Sequence, residues 1–504
     1  MSRAYELSKT RFISGLQCHR QLWWCAHEPE APELVPDPLL QALLDQGSSV
    51  GRVARAHVPG GTLIDLPWDD VAGRLAATRE ALATGTPAIY EALFREDGIS
   101  VAVDILAREP AGWRVVEVKS STRVEEEHVP DVALQVHVLR RAGLTVTGAD
   151  VMVLNRDCVH PELCNLFRRE SVDDRVAAVL ADVPGLAGAQ IAMLTGPLPE
   201  VPIGPHCHRP HECPFLGRCW PETPEHHVGT LYKMKGSSAE FEARGWVTLF
   251  DLPDDLPLNA PADRQRRAVK AGRMLVEGDL SRSLAPFRGP LAYLDFETVQ
   301  PAIPVWAGCR PFDQIPVQFS CHRETPDGGL AHAAWIADGP GDPRPEIARR
   351  VIEACRGARA VVAYFMSFEK GRLEELAQAL PALAADLRDI GDRLVDPLPV
   401  VRGHVYHPAF GGSFGLKRVI PALVPDLSYD GLAIADGGTA SLVLARRVLG
   451  DEPIPAAERA AQQEALLAYC ERDTLGLVRL VARLRELAEI APAGGASSSS
   501  SSDG

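Results

Sequence analysis

The chain has 504 residues and a formal net charge of −15, which results from 52 basic and 67 acidic side chains. A content of 46% hydrophobic and 24% charged residues is ordinary for a globular protein and excludes fibrous, collagen-like and globally disordered chains. The acidic balance argues against a protein that coats nucleic acid nonspecifically. It leaves room for a nuclease, because the metal sites of a nuclease are themselves acidic. At roughly 150 residues per domain, the length predicts about three domains.

Membrane and export signals are weak in this sequence. No uncharged apolar run approaches the ~20 residues that a membrane span requires; the nearest stretch, 183–199, contains Pro184, Gln190 and several glycines. The N-terminal residues MSRAYELSKTRF lack the apolar core of a signal peptide. We therefore expect a cytoplasmic protein with no membrane partner. In that compartment, clustered cysteines among the eleven point to metal binding or catalysis rather than to disulfides.

Residues 1–222 are predicted to form one unit with an α/β core. Short apolar runs that alternate with turns predict strands at 99–106, 113–118 and 151–155, and a helix is predicted at 130–142. A segment rich in proline, histidine and cysteine, 197–224, ends this unit. Residues 223–287 predict a helical linker region, with a helix–turn–helix passage at 241–252 and a basic helix at 264–273.

Residues 288–488 are predicted to form a second α/β unit. Its expected elements are a strand at 291–297, a helix at 346–356, a strand at 360–364 and a closing helix at 460–489. Residues 489–504 include six consecutive serines and predict a disordered tail. Strands in both units carry acidic residues, and these acids dominate the functional interpretation.

The first acidic set consists of Asp104, Glu117 and Lys119. Asp104 lies within one predicted strand, and Glu117 and Lys119 share a face of the next because they are two residues apart. Two carboxylates on adjacent strands can hold Mg²⁺, which lowers the pKa of a bound water, and a neighbouring lysine can stabilise developing phosphate charge. The alternative is a pair of surface strands with solvated charges.

The predicted helix that follows carries Asp131, Gln135 and Leu139 on one face, and Glu91 precedes the Asp104 strand by about one hairpin. An aspartate, then Glu-x-Lys, then a helix with glutamine resembles the PD-(D/E)XK nuclease core of the RecB type, over roughly residues 85–142. The resemblance implies a restriction-endonuclease-like fold with Mg²⁺ or Mn²⁺ at its acids. The implied roles are metal ligands at Asp104 and Glu117, the catalytic lysine at Lys119 and the signature glutamine at Gln135.

Two positions depart from that family pattern. Leu139 stands where the RecB signature has a tyrosine. The histidine found near the start of such nucleases has His57 as its nearest candidate here.

A cysteine cluster follows the first core, with Cys207, Cys213 and Cys219 in a C-x5-C-x5-C spacing that can reach one metal centre. Zinc with the neighbouring histidines 206, 208 and 211, or unligated structural cysteines, are alternatives. Cys18, in Gly-Leu-Gln-Cys-His-Arg, resembles the N-terminal cysteine of RecB-type nucleases with an iron–sulfur cluster. The resemblance implies a [4Fe–4S] cluster on Cys18, Cys207, Cys213 and Cys219. The cysteines predicted as small buried hydrophobes are Cys25, Cys309, Cys321, Cys355 and Cys470.

The second acidic set joins a strand to a distant helix. Asp295 and Glu297 form a D-x-E pair on one side of the strand that opens the second unit. On the closing helix, Tyr469 and Asp473 lie one turn apart within an apolar stripe. A carboxylate in such a stripe is costly unless it is paired or binds a metal.

D-x-E on a first strand with Y-x-x-x-D on a last helix resembles the DnaQ-like, DEDD-type 3′–5′ exonucleases of the RNase H-like fold, in their tyrosine subclass, over about residues 288–485. The resemblance implies two divalent metals on four acids, with Tyr469 orienting the attacking water. Three of the acids are Asp295, Glu297 and Asp473. The fourth position, in Ala-Tyr-Phe-Met-Ser-Phe-Glu, is Glu369 in place of an aspartate.

Three further residues accompany this second match. Phe365 stands where the family has an asparagine. Asp396 is expected just outside the ligand set, and Lys417 is a candidate phosphate contact, with a solvated helix start as the alternative.

Together the features predict a metal-dependent nuclease acting on DNA or RNA, with 3′–5′ exonuclease chemistry in the second unit. They resemble uncharacterised bacterial RecB-like proteins that join an iron–sulfur PD-(D/E)XK domain to an RNase H-like domain of unknown function. The competing interpretation is a non-catalytic nucleic-acid-binding or scaffold protein with an iron–sulfur or zinc cluster and degenerate acidic sites.

Overall fold

A computed structural model describes residues 5–220, 222–450 and 453–490. The chain is an α/β protein with mixed sheets. It divides into two compact units, one of residues 1–221 with 301–313 and one of residues 222–300 with 314–504. The segment predicted as a linker, 223–287, falls within the second unit. The predicted serine-rich tail lies outside the described residues beyond position 490.

The first unit is built on a mixed seven-stranded sheet in which β2 to β7 follow chain order and β1 pairs in parallel with the start of β4. Its strands are β1 (Leu7–Ser8), β2 (Thr62–Leu63), β3 (Ala88–Glu96), β4 (Ile99–Glu109), β5 (Gly112–Val118), β6 (Val146–Leu154) and β7 (Phe167–Ser171). The central hairpin of β3 and β4 turns at Asp97 and Gly98, which both have positive φ (50° and 76°). An Asp-Gly pair in this conformation gives the right-handed twist that an antiparallel hairpin needs.

Among the described residues, eight α-helices accompany this sheet: α1 (Lys9–Gln17), α2 (His19–His27), α3 (Pro38–Ala56), α4 (Val71–Thr84), α5 (His128–Arg141), α6 (Asp173–Leu180), α7 (Val183–Leu194) and α8 (Leu216–Cys219). The main core lies between one face of the sheet and α1, α2, α5 and α7. On β4, alternate residues such as Val101 and Val103 are buried, while Ala102 and Asp104 are half-buried on the other face. This alternation aims Asp104 away from the main core.

Over the same described ranges, no single helix has both the length and the apolar character that a bilayer crossing requires. The consecutive pair α6 and α7, bent by 55°, reaches those criteria only when the two helices are taken together.

The second unit contains a mixed five-stranded sheet in the order β11-β10-β9-β12-β13 and a two-stranded sheet of β14 and β8. In it, β9 pairs antiparallel with β10 and parallel with β12. The strands are β8 (Leu275–Val276), β9 (Leu291–Val299), β10 (Ile315–Glu324), β11 (Leu330–Ile336), β12 (Ala360–Val362), β13 (Leu394–Val395) and β14 (Val405–Tyr406). The strand β9 is therefore central, with acids on a half-buried face and Leu294 and Phe296 in the core.

In the described part of this unit there are ten α-helices: α9 (Ser238–Ala243), α10 (Ala260–Ala271), α11 (Leu280–Ser283), α12 (Arg344–Ala354), α13 (Ser367–Ala379), α14 (Ala384–Asp392), α15 (Pro397–His404), α16 (Leu416–Leu423), α17 (Gly437–Leu449) and α18 (Ala456–Ile490). The long α18 packs against both β9 and β10. The helix–turn–helix predicted at 241–252 is wrong, because α9 stops at Ala243 and no second helix follows through residue 252, where turns and an isolated β-bridge of Thr248 with His227 occur. Gly245, with a φ of +79°, continues the chain in a left-handed conformation that ends the helix.

Candidate functional site

The second unit brings together three of its predicted acids. Asp295 and Glu297 project from the same side of β9, and Asp473 reaches them from α18. One carboxylate oxygen from each residue lies within 4.8 Å of the other two. Asp473 is buried and the other two are half-buried, so the group is compact and partly shielded from water.

The electrostatics of this group favour a cation. Burial and the nearby Asp473 raise the pKa of Asp295 to about 8. Burial and Asp295 raise the pKa of Glu297 well above its ordinary value. Burial also raises the pKa of Asp473, although hydrogen bonding to Tyr429 opposes that shift. Each ionised carboxylate makes ionisation of its neighbours less favourable, and a bound divalent cation removes this repulsion.

Glu369 lies on the first turn of α13 and is 3% exposed. Burial, and secondarily Asp295, raise its pKa to about 9. Its Oε2 atom is buried without a hydrogen-bond partner. A buried carboxylate oxygen that lacks a partner fits a metal ligand, because an unsatisfied buried acceptor is costly.

Two phenols and one ammonium surround Asp473. Lys417 Nζ, from α16, donates to Tyr469 Oη at 2.6 Å, and its ammonium opposes the raised pKa values of all three grouped acids. Tyr429 Oη donates to Asp473 Oδ1 at 2.5 Å. Burial and the carboxylates hold the Tyr469 pKa far above its ordinary value, so its phenol keeps its proton. Tyr429 was missed by the sequence analysis, since it lies in an irregular segment 44 residues before Asp473.

Cys470 has a second role beside its predicted one. It is buried, as a small hydrophobic residue would be, but its thiol also donates to Asp295 Oδ2 at 3.5 Å. Burial, followed by the charges of the three acids, raises the pKa of the Cys470 thiol well above its ordinary value. The prediction that Cys470 is a small buried residue is therefore confirmed, whereas the contact of its thiol with Asp295 was not predicted.

Asp396 is a capping residue. Its Oδ1 accepts from Leu398 N at 2.8 Å as the N-cap of α15, and both carboxylate oxygens accept from the backbone of Phe365 and Met366 at 3.2 Å. Phe365 is held there with a φ of +60° and a 61% exposed side chain. Asp396 thus fixes the turn that leads into the helix bearing Glu369.

The first unit forms a different, more compensated centre. Asp104 on β4 accepts from Val118 N at 2.7 Å, next to Glu117 on β5. Burial and Glu117 raise the pKa of Asp104 to about 7. Burial opposes ionisation of Glu117 as well, but the ammonium groups of Lys9 and Lys119 outweigh it and hold the pKa of Glu117 well below its ordinary value.

Lys9 occupies the middle of this centre. Its Nζ donates to both oxygens of Glu117, at 3.0 and 2.9 Å, and lies 3.7 Å from Asp131 Oδ1. Lys119 Nζ bridges the same two acids at 2.8 Å each. Burial disfavours the Lys9 ammonium, but Glu117, Asp131 and Asp104 together hold its pKa above the ordinary value. Lys9 was missed, because 108 residues separate it from Glu117 and no local pattern links them.

The predicted glutamine belongs to the same network. Gln135 is fully buried on α5, and its Nε2 donates to Glu117 Oε2 at 2.7 Å and to Asp131 Oδ1 at 3.2 Å. Leu139, at the position of the family's tyrosine, is fully buried in the main core. His57 ends α3 and packs edge-on against Phe167, with a ring separation of 4.9 Å.

The four predicted cluster cysteines line one small cavity, with Trp24, Phe215 and His206 among its walls. Burial and, secondarily, the other three thiols raise the pKa of Cys213 to about 11. Gln17 Nε2 donates to the carbonyl oxygens of His206 and His211 at 2.8 Å, which ties α1 to this segment. In the part of the chain that the structure describes, the sulfur atoms of these four cysteines do not all lie within 4.8 Å of one another.

A third polar group lies on the second unit's sheet and was not predicted. His322 and His332 face each other on β10 and β11, stacked with a ring separation of 4.4 Å, and Glu471 lies beside them. His322 Nδ1 is hydrogen-bonded to Thr474 Oγ1 at 2.8 Å. Burial, with a smaller contribution from His332, lowers the pKa of His322 to about 4.

Residues 292–415 match the model of a domain of unknown function, DUF2779. The matched region starts within β9 and ends just before α16, so it contains Asp295, Glu297 and Glu369 but neither Tyr469 nor Asp473. Among curated proteins, none matches this chain.

Proposed function

We propose that the second unit is a metal-dependent phosphodiesterase that hydrolyses DNA or RNA, with the 3′–5′ exonuclease chemistry of the DnaQ-like enzymes that it resembles. The observation that carries the proposal is the convergence of Asp295, Glu297 and Asp473, whose oxygens lie within 4.8 Å although β9 and α18 are far apart in the chain. The unpartnered Oε2 of Glu369 supports a fourth ligand position.

Asp295, Glu297, Glu369 and Asp473 would hold Mg²⁺ or Mn²⁺, whose chemistry in such a site is to acidify water and to stabilise charge on phosphate oxygens. Tyr469 keeps its phenolic proton and can position the oxygen of an attacking water. Lys417 fixes the orientation of Tyr469 through their 2.6 Å hydrogen bond and adds positive charge where phosphate would lie. Tyr429 holds Asp473 in place through its own hydrogen bond.

Substitution of Asp295 by asparagine tests this proposal while preserving side-chain shape. We expect Asp295→Asn to weaken Mn²⁺ binding in calorimetry and to lower Mg²⁺-dependent digestion of a 3′-labelled oligonucleotide by at least about 100-fold. The matched control is Glu324→Gln. Glu324 lies in the same sheet and accepts hydrogen bonds from Tyr293 Oη and Leu291 N. Equal digestion by Asp295→Asn and the unmodified protein would refute the proposal.

For the first unit, we propose a PD-(D/E)XK-like centre in which Asp104 and Glu117 would hold a metal and Lys119 would assist attack on the phosphodiester. One observation favours a second candidate function, in which this unit binds nucleic acid without cleaving it. Lys9 and Lys119 already neutralise much of the charge of Glu117 and Asp131. Residual endonuclease activity of the Asp295→Asn protein on circular single-stranded DNA would favour cleavage, and its absence would favour binding alone.

For the cysteine cavity, we propose a [4Fe–4S] cluster on Cys18, Cys207, Cys213 and Cys219. The apolar shell of Trp24 and Phe215 suits a cluster whose potential depends on burial. Anaerobic protein should be brown and contain iron and sulfide, whereas a colourless protein with one zinc would contradict the assignment.

A further inference from the structure

The first unit contains a second cleft, separate from the cavity of the cysteines, with a volume of about 680 Å³. Its walls come from α3, from residues 63–71 and from β3 and β4. Asp104 and Lys9 are among its lining residues. Two arginines, a tryptophan and a glutamate also line it: Arg55, Arg74, Trp68 and Glu91.

Arg74 is a buried cation with incomplete hydrogen bonding. It is only 2% exposed, its Nη2 donates to the Glu91 carbonyl at 3.2 Å, and its Nε is buried without a hydrogen-bond partner. Burial lowers its pKa, so the guanidinium is held in an environment that disfavours its charge. A buried donor without a partner is costly, and an anion is the ligand that satisfies both the donor and the charge.

Arg55, on α3, repeats this feature. Its Nη2 pairs with Glu91 Oε1 at 2.7 Å, while its Nε is also buried without a partner. Glu91 itself has a φ of +58°, a left-handed conformation that is unfavourable for a glutamate. The two arginines therefore both contact one strained residue, and each has a buried Nε–H without an acceptor in the protein.

Trp68 supplies a flat surface next to these cations. It is 70% exposed, although Arg74 stacks on its ring with 3.9 Å between the guanidinium carbon and the ring centroid. An exposed indole beside unsatisfied guanidinium groups is the combination that single-stranded nucleic-acid sites use, with bases on aromatic rings and phosphates on arginines. The cleft volume lies in the range that holds a drug-sized ligand, which corresponds to about one or two nucleotides.

We propose that this cleft binds single-stranded nucleic acid, with a phosphate on Arg55 and Arg74 and a base stacked on Trp68. Asp104, a ligand in the proposed metal centre, lines the same cleft. The inference rests on the proposed function for the identity of its ligand. It does not require cleavage, since both candidate functions of the first unit bind nucleic acid.

The test is fluorescence anisotropy of a labelled 12-nucleotide single strand, in EDTA and in the Asp295→Asn protein so that the second unit neither cleaves nor holds metal. We expect Trp68→Ala to weaken binding about tenfold or more, because stacking on an aromatic ring contributes strongly per base. The exposure of Trp68 makes this replacement compatible with the fold. The matched control is Trp246→Ala, another tryptophan that carries a stacked arginine, Arg244, at 5.4 Å.

Arg55→Gln provides a second measurement. We expect it to reduce the slope of log Kd against log salt concentration by about 0.7, the value for one single-strand phosphate contact. Unchanged binding by both Trp68→Ala and Arg55→Gln, or equal affinity for a duplex of the same length, would overturn the proposal.

The outcomes separate this inference from the proposed nuclease. If the unmodified protein digests oligonucleotides but Trp68→Ala binds them normally, the cleft assignment fails and the nuclease proposal stands. If no digestion occurs but Trp68→Ala loses binding, the nuclease proposal fails and the cleft assignment stands.

Discussion

At the scale of single residues, Lys9 is the most consequential side chain in the first unit. Its ammonium contacts both oxygens of Glu117, which are also the atoms that a divalent cation would use. A charged hydrogen bond of this kind contributes about 1.5–3 kcal/mol. A metal that binds Glu117 must therefore displace Lys9 or share the carboxylate with it.

We predict that Lys9→Met strengthens Mn²⁺ binding at this centre by about 10- to 100-fold, since the competing ammonium is removed. Titration calorimetry in an Asp295→Asn, Asp473→Asn background isolates the first unit. The exposed Lys370→Met, which lies in the second unit, controls for the loss of one positive charge. Weaker Mn²⁺ binding by Lys9→Met would show that the lysine supports the metal site instead of competing for it.

Phe365 carries a cost of its own. Its φ of +60° is a left-handed conformation, which costs roughly 1–2 kcal/mol for a residue other than glycine, whereas asparagine tolerates it. We predict that Phe365→Asn stabilises the protein by about 1 kcal/mol, measured as a raised thermal midpoint. Phe250→Asn is the control, because Phe250 is similarly exposed (54%) and is not among the residues with positive φ. An equal effect of both replacements would show that the positive φ of Phe365 does not destabilise the protein.

At the scale of elements, α1 links two candidate sites of the first unit. It begins with Lys9 on Glu117 and ends beside Cys18, and its Gln17 holds the segment that carries Cys207. Over nine residues the helix spans about 13 Å. We therefore expect a loss of structure at one end of α1 to affect the residues at its other end.

We predict that Cys18→Ser, in protein purified anaerobically, lowers the iron content and speeds amide hydrogen exchange in α1 and in residues 205–219. The reason is that Cys18, a ligand of the proposed cluster, is also the C-cap residue of α1. Cys25→Ser, seven residues further on in α2, is the matched control. Exchange in α1 that is unchanged by Cys18→Ser would mean that Cys18 does not anchor the helix.

Element prediction succeeded where the pattern was local. The strands bearing Asp104, Glu117 and Asp295 and the helices bearing Gln135 and Asp473 occur where alternation and helical periodicity indicated them. Contributions from irregular or distant segments were not predictable. The residues Lys9, Tyr429 and Arg74 meet their partners only through the tertiary fold. The positive φ of Phe365 could not be predicted either, because aromatic residues rarely adopt this conformation.

At the scale of the whole molecule, the buried acids tie stability to pH. In the metal-free protein, the pKa of Asp295 is about 8 and that of Glu369 about 9, compared with ordinary values near 4. Between these values the folded chain keeps protons that the unfolded chain has released, so stability falls as pH rises. We predict a falling thermal midpoint from about pH 5 to about pH 9, with a flatter profile in Asp295→Asn.

Mg²⁺ or Mn²⁺ should reverse that loss. At 100 times its Kd, a cation that binds only the folded chain adds about 2.7 kcal/mol. We therefore expect the midpoint at pH 9 to rise with added Mn²⁺ in the unmodified protein and to rise less in Asp295→Asn. A midpoint independent of both pH and Mn²⁺ would contradict the grouping of these acids as a metal site.

The opposite limb of the pH profile belongs to His322. Its pKa is about 4 in the folded chain and about 6.5 when unfolded, so the unfolded chain takes up the proton first as pH falls. We predict that His322 lowers stability as pH falls from about 6.5 to about 4, a contribution opposite in sign to that of the buried acids, and that His322→Gln removes this contribution. Thermal scans against pH measure this directly, and a profile identical to that of the unmodified protein would exclude His322 as its source.

The division of the chain has a consequence for its synthesis. Residues 301–313 belong to the first unit although they follow β9 of the second. Ala302 completes a small cluster there with Val50 and Leu154, and its N–H donates to Gln46 Oε1 at 2.9 Å. A nascent chain that has left the ribosome only to residue 221 still lacks this piece. Complete folding of the first unit must therefore wait until β9 has also left the ribosome. A fragment that ends at residue 221 lacks residues 301–313 and therefore part of the first unit.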